Sequence, residues 1–215
     1  ASEFFYLPIL KGGASMHIIL ASQSPRRREL LEQIGLTGFE IRPARGEERA
    51  DPSLPPDRLV EALSRQKAEE VSSAADPGDL VIAADTVVAI GGRVLGKPGT
   101  PARAAEMLAS LSGRTHTVYT GITVCRDGRF LTEHEATSVR FRSLSPADIS
   151  AYVSTGEPLD KAGAYGIQGL GALLVEGIEG DYGNVVGLPL VRLSRMLARF
   201  GLDVLSINAQ KEPKT

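Results

Sequence analysis

The 215-residue chain is short of several things, and each shortage narrows what it can be. It has one cysteine, Cys125, so no intramolecular disulfide can form. That suits a reducing compartment and makes cytoplasm the default expectation. Its three histidines, His17, His116 and His134, have no zinc-type spacing. Any metal is then expected to be a hard ion held by carboxylates, magnesium or manganese. Neither charge dominates: 24 Lys plus Arg against 26 Asp plus Glu leave a net charge of −2. Aromatic residues make up 5% and form no stacking stripe. A chain with neither a broad basic field nor such a stripe is not expected to bind nucleic acid. Long apolar runs are missing too. Phe4 to Leu10 is broken by Pro8 and followed by Lys11, too short for a bilayer and without the basic start of a signal peptide. No membrane partner is expected.

What is present reads as an ordinary soluble α/β protein, 42% hydrophobic and 23% charged. Residues 1–15 read as a tag or extension outside the fold, 16–205 as one domain, and 206–215 as a flexible tail. Met16 to Leu20 reads as a strand. Ser24 caps the next helix, with Pro25 at its first position and Gly35 at its end. A second helix starts near Pro56, with Leu59, Val60, Leu63 and Val71 on its apolar side. Leu80 to Ala84 is a buried strand that continues through Val87 to Ile90 into a Gly91-Gly92 hairpin. Thr100-Pro101 opens a third helix. Strands near His116 to Arg126 and Phe130 to Leu144 meet at Asp127-Gly128, and Ser145 caps a helix reaching Thr155. Ala172 to Ile178 reads as a strand, and Pro189 opens the last helix.

Four places break the local pattern. Arg26, Arg27 and Arg28 crowd the first turn of a helix, where the dipole disfavours cations. With Ser22, Ser24 and unpaired backbone amides they resemble a phosphate cradle at the carboxyl end of a strand. Arg28 reads better as a solvated surface residue. Lys67 falls on the apolar stripe of its helix, so it either snorkels to water or reaches into a cleft that holds an anion. Asp85 interrupts an apolar strand, a costly position for a carboxylate unless it is paired or bound to metal. It is a candidate strand-end metal ligand or general base. Lys97 offers a second phosphate contact. In the fourth place, Lys161 to Gly169, repeated glycines allow close backbone approach to a ligand. Neither a P-loop nor a Rossmann glycine pattern is present.

Taken in order, Ala21-Ser22-Gln23-Ser24-Pro25-Arg26-Arg27, Ala84-Asp85-Thr86, Gly96-Lys97-Pro98, Tyr119-Thr120-Gly121, Gly156 to Gly163 and Val185-Val186-Gly187-Leu188-Pro189 closely resemble the Maf family of nucleotide pyrophosphatases. The resemblance spans Met16 to Leu205. It implies an elongated mixed β-sheet with flanking helices and two lobes around a cleft, related to the inosine triphosphatase group. It also implies release of pyrophosphate from nucleoside triphosphates in house-cleaning of nucleotide pools, and a homodimer. By motif, Asp85 is the proton acceptor, and Arg26, Thr86 and Gln168 set base specificity. Glutamine in Tyr-x-Ile-Gln-Gly resembles the branch acting on dTTP and UTP, with CTP and modified pyrimidine triphosphates as further candidates. A planar amide offers one donor and one acceptor, matching the N3–H and carbonyl edge of uracil or thymine. The chain departs from the commonest family pattern at Gly96 and at Gly183-Asn184.

The mechanism this implies is in-line attack of water on the α-phosphorus, with pyrophosphate leaving. A divalent ion would be held by Asp85, with Glu48 or Glu47 helping, and Asp85 also competes for the role of base. Ser22, Ser24, Arg26, Arg27, Lys67 and Lys97 would neutralise the triphosphate. The runner-up is a non-enzymatic nucleotide-binding regulator of cell division. A phosphomonoesterase, releasing orthophosphate, is the third reading.

Overall fold

The computed structural model describes residues 16–47 and 49–209. The expected extension at 1–15, the end of the expected tail at 210–215, and the metal-ligand candidate Glu48 lie outside the described residues. In chain order the elements are β1 Ile18–Leu20, α1 Pro25–Gln33, β2 Glu40–Ile41, α2 Pro56–Ser72, β3 Leu80–Ile90, β4 Arg93–Leu95, α3 Pro101–Leu111, β5 Thr115–Arg126, β6 Arg129–Phe141, α4 Pro146–Ser154, β7 Val175–Glu179, α5 Tyr182–Val186, α6 Leu190–Ala198 and α7 Val204–Ala209. Short 3₁₀ turns occupy Glu157–Asp160, Ala162–Ala164 and Leu170–Leu174.

Local chemistry accounts for most of the boundaries. The Ser24 hydroxyl accepts from the Arg27 amide at the start of α1, and Thr100 caps α3 in the same way. Ser145 and Asp148 form a reciprocal capping box on α4. Gly91 and Gly92 both take positive φ, as the tight β3–β4 hairpin requires.

Among the described residues, seven strands form one mixed sheet in the order β2-β1-β3-β5-β6-β7, with β4 also paired to β3. β1 runs parallel to β2 and β3, and every other pairing is antiparallel. Along one edge of β3, residues 80–82 pair with β1 and residues 88–90 pair with β4. Among the described residues, the stretch between them has no strand partner on that side. Its other edge pairs with β5 without a break, from Val81↔Cys125 to Ala89↔Thr117. This gap in the sheet is where the cleft opens.

Strand alternation then sorts the core. Leu80, Ile82 and Ala84 face α1, α6 and α7, joining Leu30, Leu31, Leu193 and Ile207. Val81, Ala83 and Val87 face α2, against Ala68, Val71, Leu59, Val60 and Leu63. A further cluster gathers Val88 and Ile90 with α3, Tyr152 of α4 and Tyr165. The two long strands β3 and β5 run through all of these clusters.

Four expectations need correction. Asp85 is not at a strand end but inside the continuous 11-residue β3. β6 stops at Phe141, short of Leu144. The expected strand from Ala172 begins at Val175, because Leu170–Leu174 coils into a 3₁₀ turn. The chain also stays folded past 205. In α7, Val204 and Ile207 are buried, and Asn208 Nδ2 donates to Ile34 O at 2.8 Å. A polar-looking tail hid two apolar residues at helical spacing.

Candidate active site

Alternation along β3 places consecutive residues on opposite faces at the sheet gap. Asp85 falls on the α2 side and Thr86 on the α1 side. α2 comes close because Gly121, the register partner of Asp85 on β5, has no side chain; a Cβ there would overlap the Val60 carbonyl. Two turns further along α2, the Lys67 ammonium ion-pairs with Asp85 Oδ1. The two side chains are 22% and 13% exposed, so the pair is largely shielded yet open to the cleft. Asp85 is thus an anion that Lys67 reaches in this structure. No hydrogen bond among the described residues reaches Asp85 Oδ2.

On the other face, the Arg27 guanidinium fills the gap in the sheet. Nε donates to Gly187 O at 2.8 Å and Nη1 to Ala84 O at 2.8 Å, a carbonyl of the unpaired stretch of β3. Nη1 also donates to Ser22 Oγ at 3.3 Å, and Nη2 to Thr86 Oγ1 at 3.0 Å. Burial lowers the Arg27 pKa, with the charge of Asp85 acting against that shift. Thr86 and Thr120 hydroxyls lie 2.9 Å apart, and Thr120 donates to Asn184 O at 3.0 Å. Each hydroxyl has one proton, so Thr86 accepts from Arg27 and donates to Thr120. Asn184 is fully buried; its Nδ2 donates to Val118 O and to Thr137 Oγ1, both at 2.9 Å. The arginine expected to bind phosphate is therefore engaged chiefly with the protein.

The neighbouring Arg26 differs. It is half-buried, lines the cleft and makes no hydrogen bond or ion pair among the described residues. Ser22 Oγ accepts from the Ser24 amide and from Arg27, which leaves its proton available to a ligand. The Arg26 amide, one position into α1, has no intrahelical acceptor.

Ser22, Ser24, Arg26, Arg27, Lys67, Asp85, Thr86, Lys97 and Gln168 all line one cleft of about 1010 Å³. That is ample for a nucleotide, since small-molecule pockets run to roughly 1,000 Å³. Lys97 and Gln168 are exposed at its rim. Both lobes of the core contribute walls, one through α1 and β3, the other through residues 160–168.

Sequence reasoning missed the residues that hold the loops. Glu70 on α2 lines the cleft and accepts from the amides of Arg45 at 2.7 Å and Gly46 at 3.1 Å. Gln66, one turn earlier, accepts from Arg49 N and donates to Glu47 O. Glu157 does the same for the glycine-rich segment, accepting from Leu170 N at 2.9 Å and Gly171 N at 3.1 Å. Besides allowing close approach of a ligand, the glycines make room for this internal carboxylate: a Cβ on Gly169 would meet it at 2.5 Å. Thr120 had a signal, a polar residue at an inward strand position. Glu157 falls within the Gly156 to Gly163 motif, but nothing local marks its role as an anchor, because two of its partners lie 13 and 14 residues away.

Among the described residues no group of three His, Cys, Asp or Glu side chains stands ready to hold a metal ion, and no helix is long and apolar enough to cross a membrane.

The sequence profile of the Maf-like protein family matches residues 17–200. A protein of Moorella thermoacetica called dTTP/UTP pyrophosphatase is 59% identical over 189 residues, covering 87% of this chain and 96% of that relative. One of the same name from Gloeobacter violaceus is 53% identical over 186 residues, covering 86% and 97%. Among solved structures, a HAM1 protein from Coxiella burnetii is similar at a TM-score of 0.48 and 19% identity, covering 86% of this chain and 99% of that one.

Proposed function

The chain belongs to the Maf family, and from that premise we infer that it hydrolyses dTTP and UTP to the monophosphate and pyrophosphate. The observation that carries this is the cleft itself. A shielded carboxylate, two lysines, an arginine with no hydrogen bond or ion pair among the described residues, a helix N-terminus and one amide side chain line a space the size of a nucleotide.

The geometry supports the following roles. Arg26, the Ser22 and Ser24 hydroxyls, the Arg26 amide and Lys97 receive the triphosphate, whose charge they compensate. Arg27 acts as framework: it holds Ser22, β3 and Gly187 in register, so that the cradle does not have to reorganise during the reaction. Lys67 fixes Asp85 through Oδ1, leaving Oδ2 to face the attacking water. Water attacks the α-phosphorus as its proton passes to Asp85. The new O–P bond forms while the bond from the α-phosphorus to the bridging oxygen breaks, and pyrophosphate leaves with the electron pair. Gln168 pairs with the N3–H and carbonyl edge of the base. Thr86, its hydroxyl proton directed at Thr120, can only accept.

The cleft also suits a magnesium or manganese ion. Magnesium is commonly held by one or two carboxylates together with substrate phosphates. Asp85 would supply one such carboxylate, a role that competes with that of base for its one open oxygen, while both Glu70 oxygens already accept from the Arg45 and Gly46 amides. When bound, the ion would supply further charge compensation for the triphosphate.

The test is release of pyrophosphate or orthophosphate from a panel of triphosphates, with magnesium or manganese present. Pyrophosphate from dTTP and UTP supports the reading. Orthophosphate would indicate a phosphomonoesterase, and binding without release a regulator. Activity on CTP and modified pyrimidines belongs to the same panel, and the mass of the protein in solution tests the expected homodimer.

A further inference from the structure

We infer that Glu157, with Tyr152, is the positioning residue for the base-reading loop, and that its carboxylate sets where Gln168 stands in the cleft. This rests on the reading of Gln168 as the side chain that recognises the base.

Gln168 lies on irregular backbone between Gly166 and Leu170, and its side chain makes no hydrogen bond among the described residues. Both ends of that segment close on one carboxylate. At the far end, Leu170 N donates to Glu157 Oε2 at 2.9 Å and Gly171 N to Oε1 at 3.1 Å. At the near end, Gly166 N donates to the Tyr152 hydroxyl at 3.2 Å, and that hydroxyl donates to Glu157 Oε1 at 2.8 Å. The loop therefore spans a fixed gap, with Gln168 midway. Glu157 is itself held from behind, since Lys161 Nζ donates to its carbonyl at 2.7 Å.

The glycines are what this closure needs. A Cβ on Gly169 would strike the Glu157 carboxylate, and one on Gly171 would strike the Tyr152 hydroxyl at 2.7 Å and Gly166 O at 2.5 Å. Burial alone would raise the Glu157 pKa; the Gly171 amide, the Tyr152 hydroxyl and the Leu170 amide outweigh it and hold the group below the usual range. A carboxylate is acceptor-only, and three donors converge on this one. In Glu157→Gln, the amide must turn its NH₂ toward at least one of those donors, so the loop loses an anchor with no change of shape.

The experiment measures kcat and KM for dTTP, UTP and CTP in wild type, Glu157→Gln, Tyr152→Phe and Gln168→Ala, together with amide hydrogen exchange at Leu170 and Gly171. For Glu157→Gln we expect KM for dTTP and UTP to rise about tenfold, the scale of one misplaced hydrogen-bonded contact. We expect kcat to stay within about twofold, the preference over CTP to shrink, and the two amides to exchange faster. Tyr152→Phe should move the same quantities less; it loses a single hydroxyl and keeps the test open should the Glu157 variant not fold. A fall in kcat for all three substrates at unchanged preference would overturn the inference, since that is the mark of a merely structural residue. So would wild-type kinetics. A preference altered in Gln168→Ala but not in Glu157→Gln sinks this inference alone. A preference unaltered in Gln168→Ala sinks the base-reading assignment beneath it.

Discussion

On the α1 side of the cleft, a single guanidinium makes four hydrogen bonds that tie together Ser22, two residues of β3 and Gly187. On the opposite side, Gln168 stands exposed on a glycine-rich loop gathered around Glu157. The first wall is cross-linked into the sheet by charge-assisted bonds. The second is anchored to a neighbouring turn and to α4. On the roles proposed for these residues, the difference matches the demands on each wall. Phosphate chemistry is the same for every triphosphate and gains from donors that do not move. Base recognition varies between substrates, and a separately anchored loop can change without disturbing the reacting atoms.

The largest expected effect tests the fixed wall. Asp85→Asn should keep the fold and lower kcat by about a hundredfold or more, as loss of an acid–base group does. Pyrophosphate release by the folded variant, verified by its thermal transition, is the measurement; near-normal turnover would break the assignment. Next come the adjacent arginines, which should behave as opposites. Arg27→Met strands two backbone carbonyls and should cost about 3 kcal/mol of stability in chemical denaturation. Arg26→Met should leave stability nearly unchanged while raising KM for the triphosphate about tenfold or more. Equal behaviour of the two would erase the distinction between framework and contact.

The base wall should respond more mildly. Gln168→Ala should raise KM for dTTP and UTP about tenfold, with kcat little changed. Kinetics on both substrates check this, and a collapse of kcat would mean the two walls are not separable.

The smallest effect concerns what lies behind Tyr165, at the base of the same loop. Burial pushes the His116 pKa down from 6.5 to about 4, and its Nε2 lies 2.9 Å from the Tyr165 hydroxyl. The unfolded chain takes up a proton in that window that the folded chain refuses. Stability is therefore intact above pH 6.5 and falls as pH drops toward 4, by up to about 1.4 kcal/mol per pH unit. His116→Gln keeps an amide beside Tyr165 and removes the titration. The difference between its denaturation curves and those of wild type across pH 4 to 6.5 should show a shallower slope.

Much of this was open to reading in the residues. Helix starts at Ser24, Thr100 and Ser145 follow from a hydroxyl and a proline at fixed offsets. Hairpins at Gly91-Gly92 and Asp127-Gly128 follow from positive φ. Asp85 and Lys67 stood out because a charge on an apolar strand or stripe needs a reason. These are local signals, carried by spacing within a turn or a strand. The exceptions were local signals misread: α7 passed for a tail because two apolar residues are too few to announce a helix.

What tertiary structure alone decided is who pairs with whom. Sequence cannot tell Arg26 from Arg27, because both are arginines in the first turn of one helix; the gap between β1 and β4 along β3 decides that Arg27 is drawn into the sheet. Nor does sequence reveal that Lys67 and Asp85 are partners, since that depends on the backbone contact Gly121 permits between α2 and β5. Periodicity records which face a side chain takes. It carries no information on which distant donor meets which acceptor, because hydrogen bonds are satisfied by proximity in space, and that proximity is set by how the whole sheet and its helices pack.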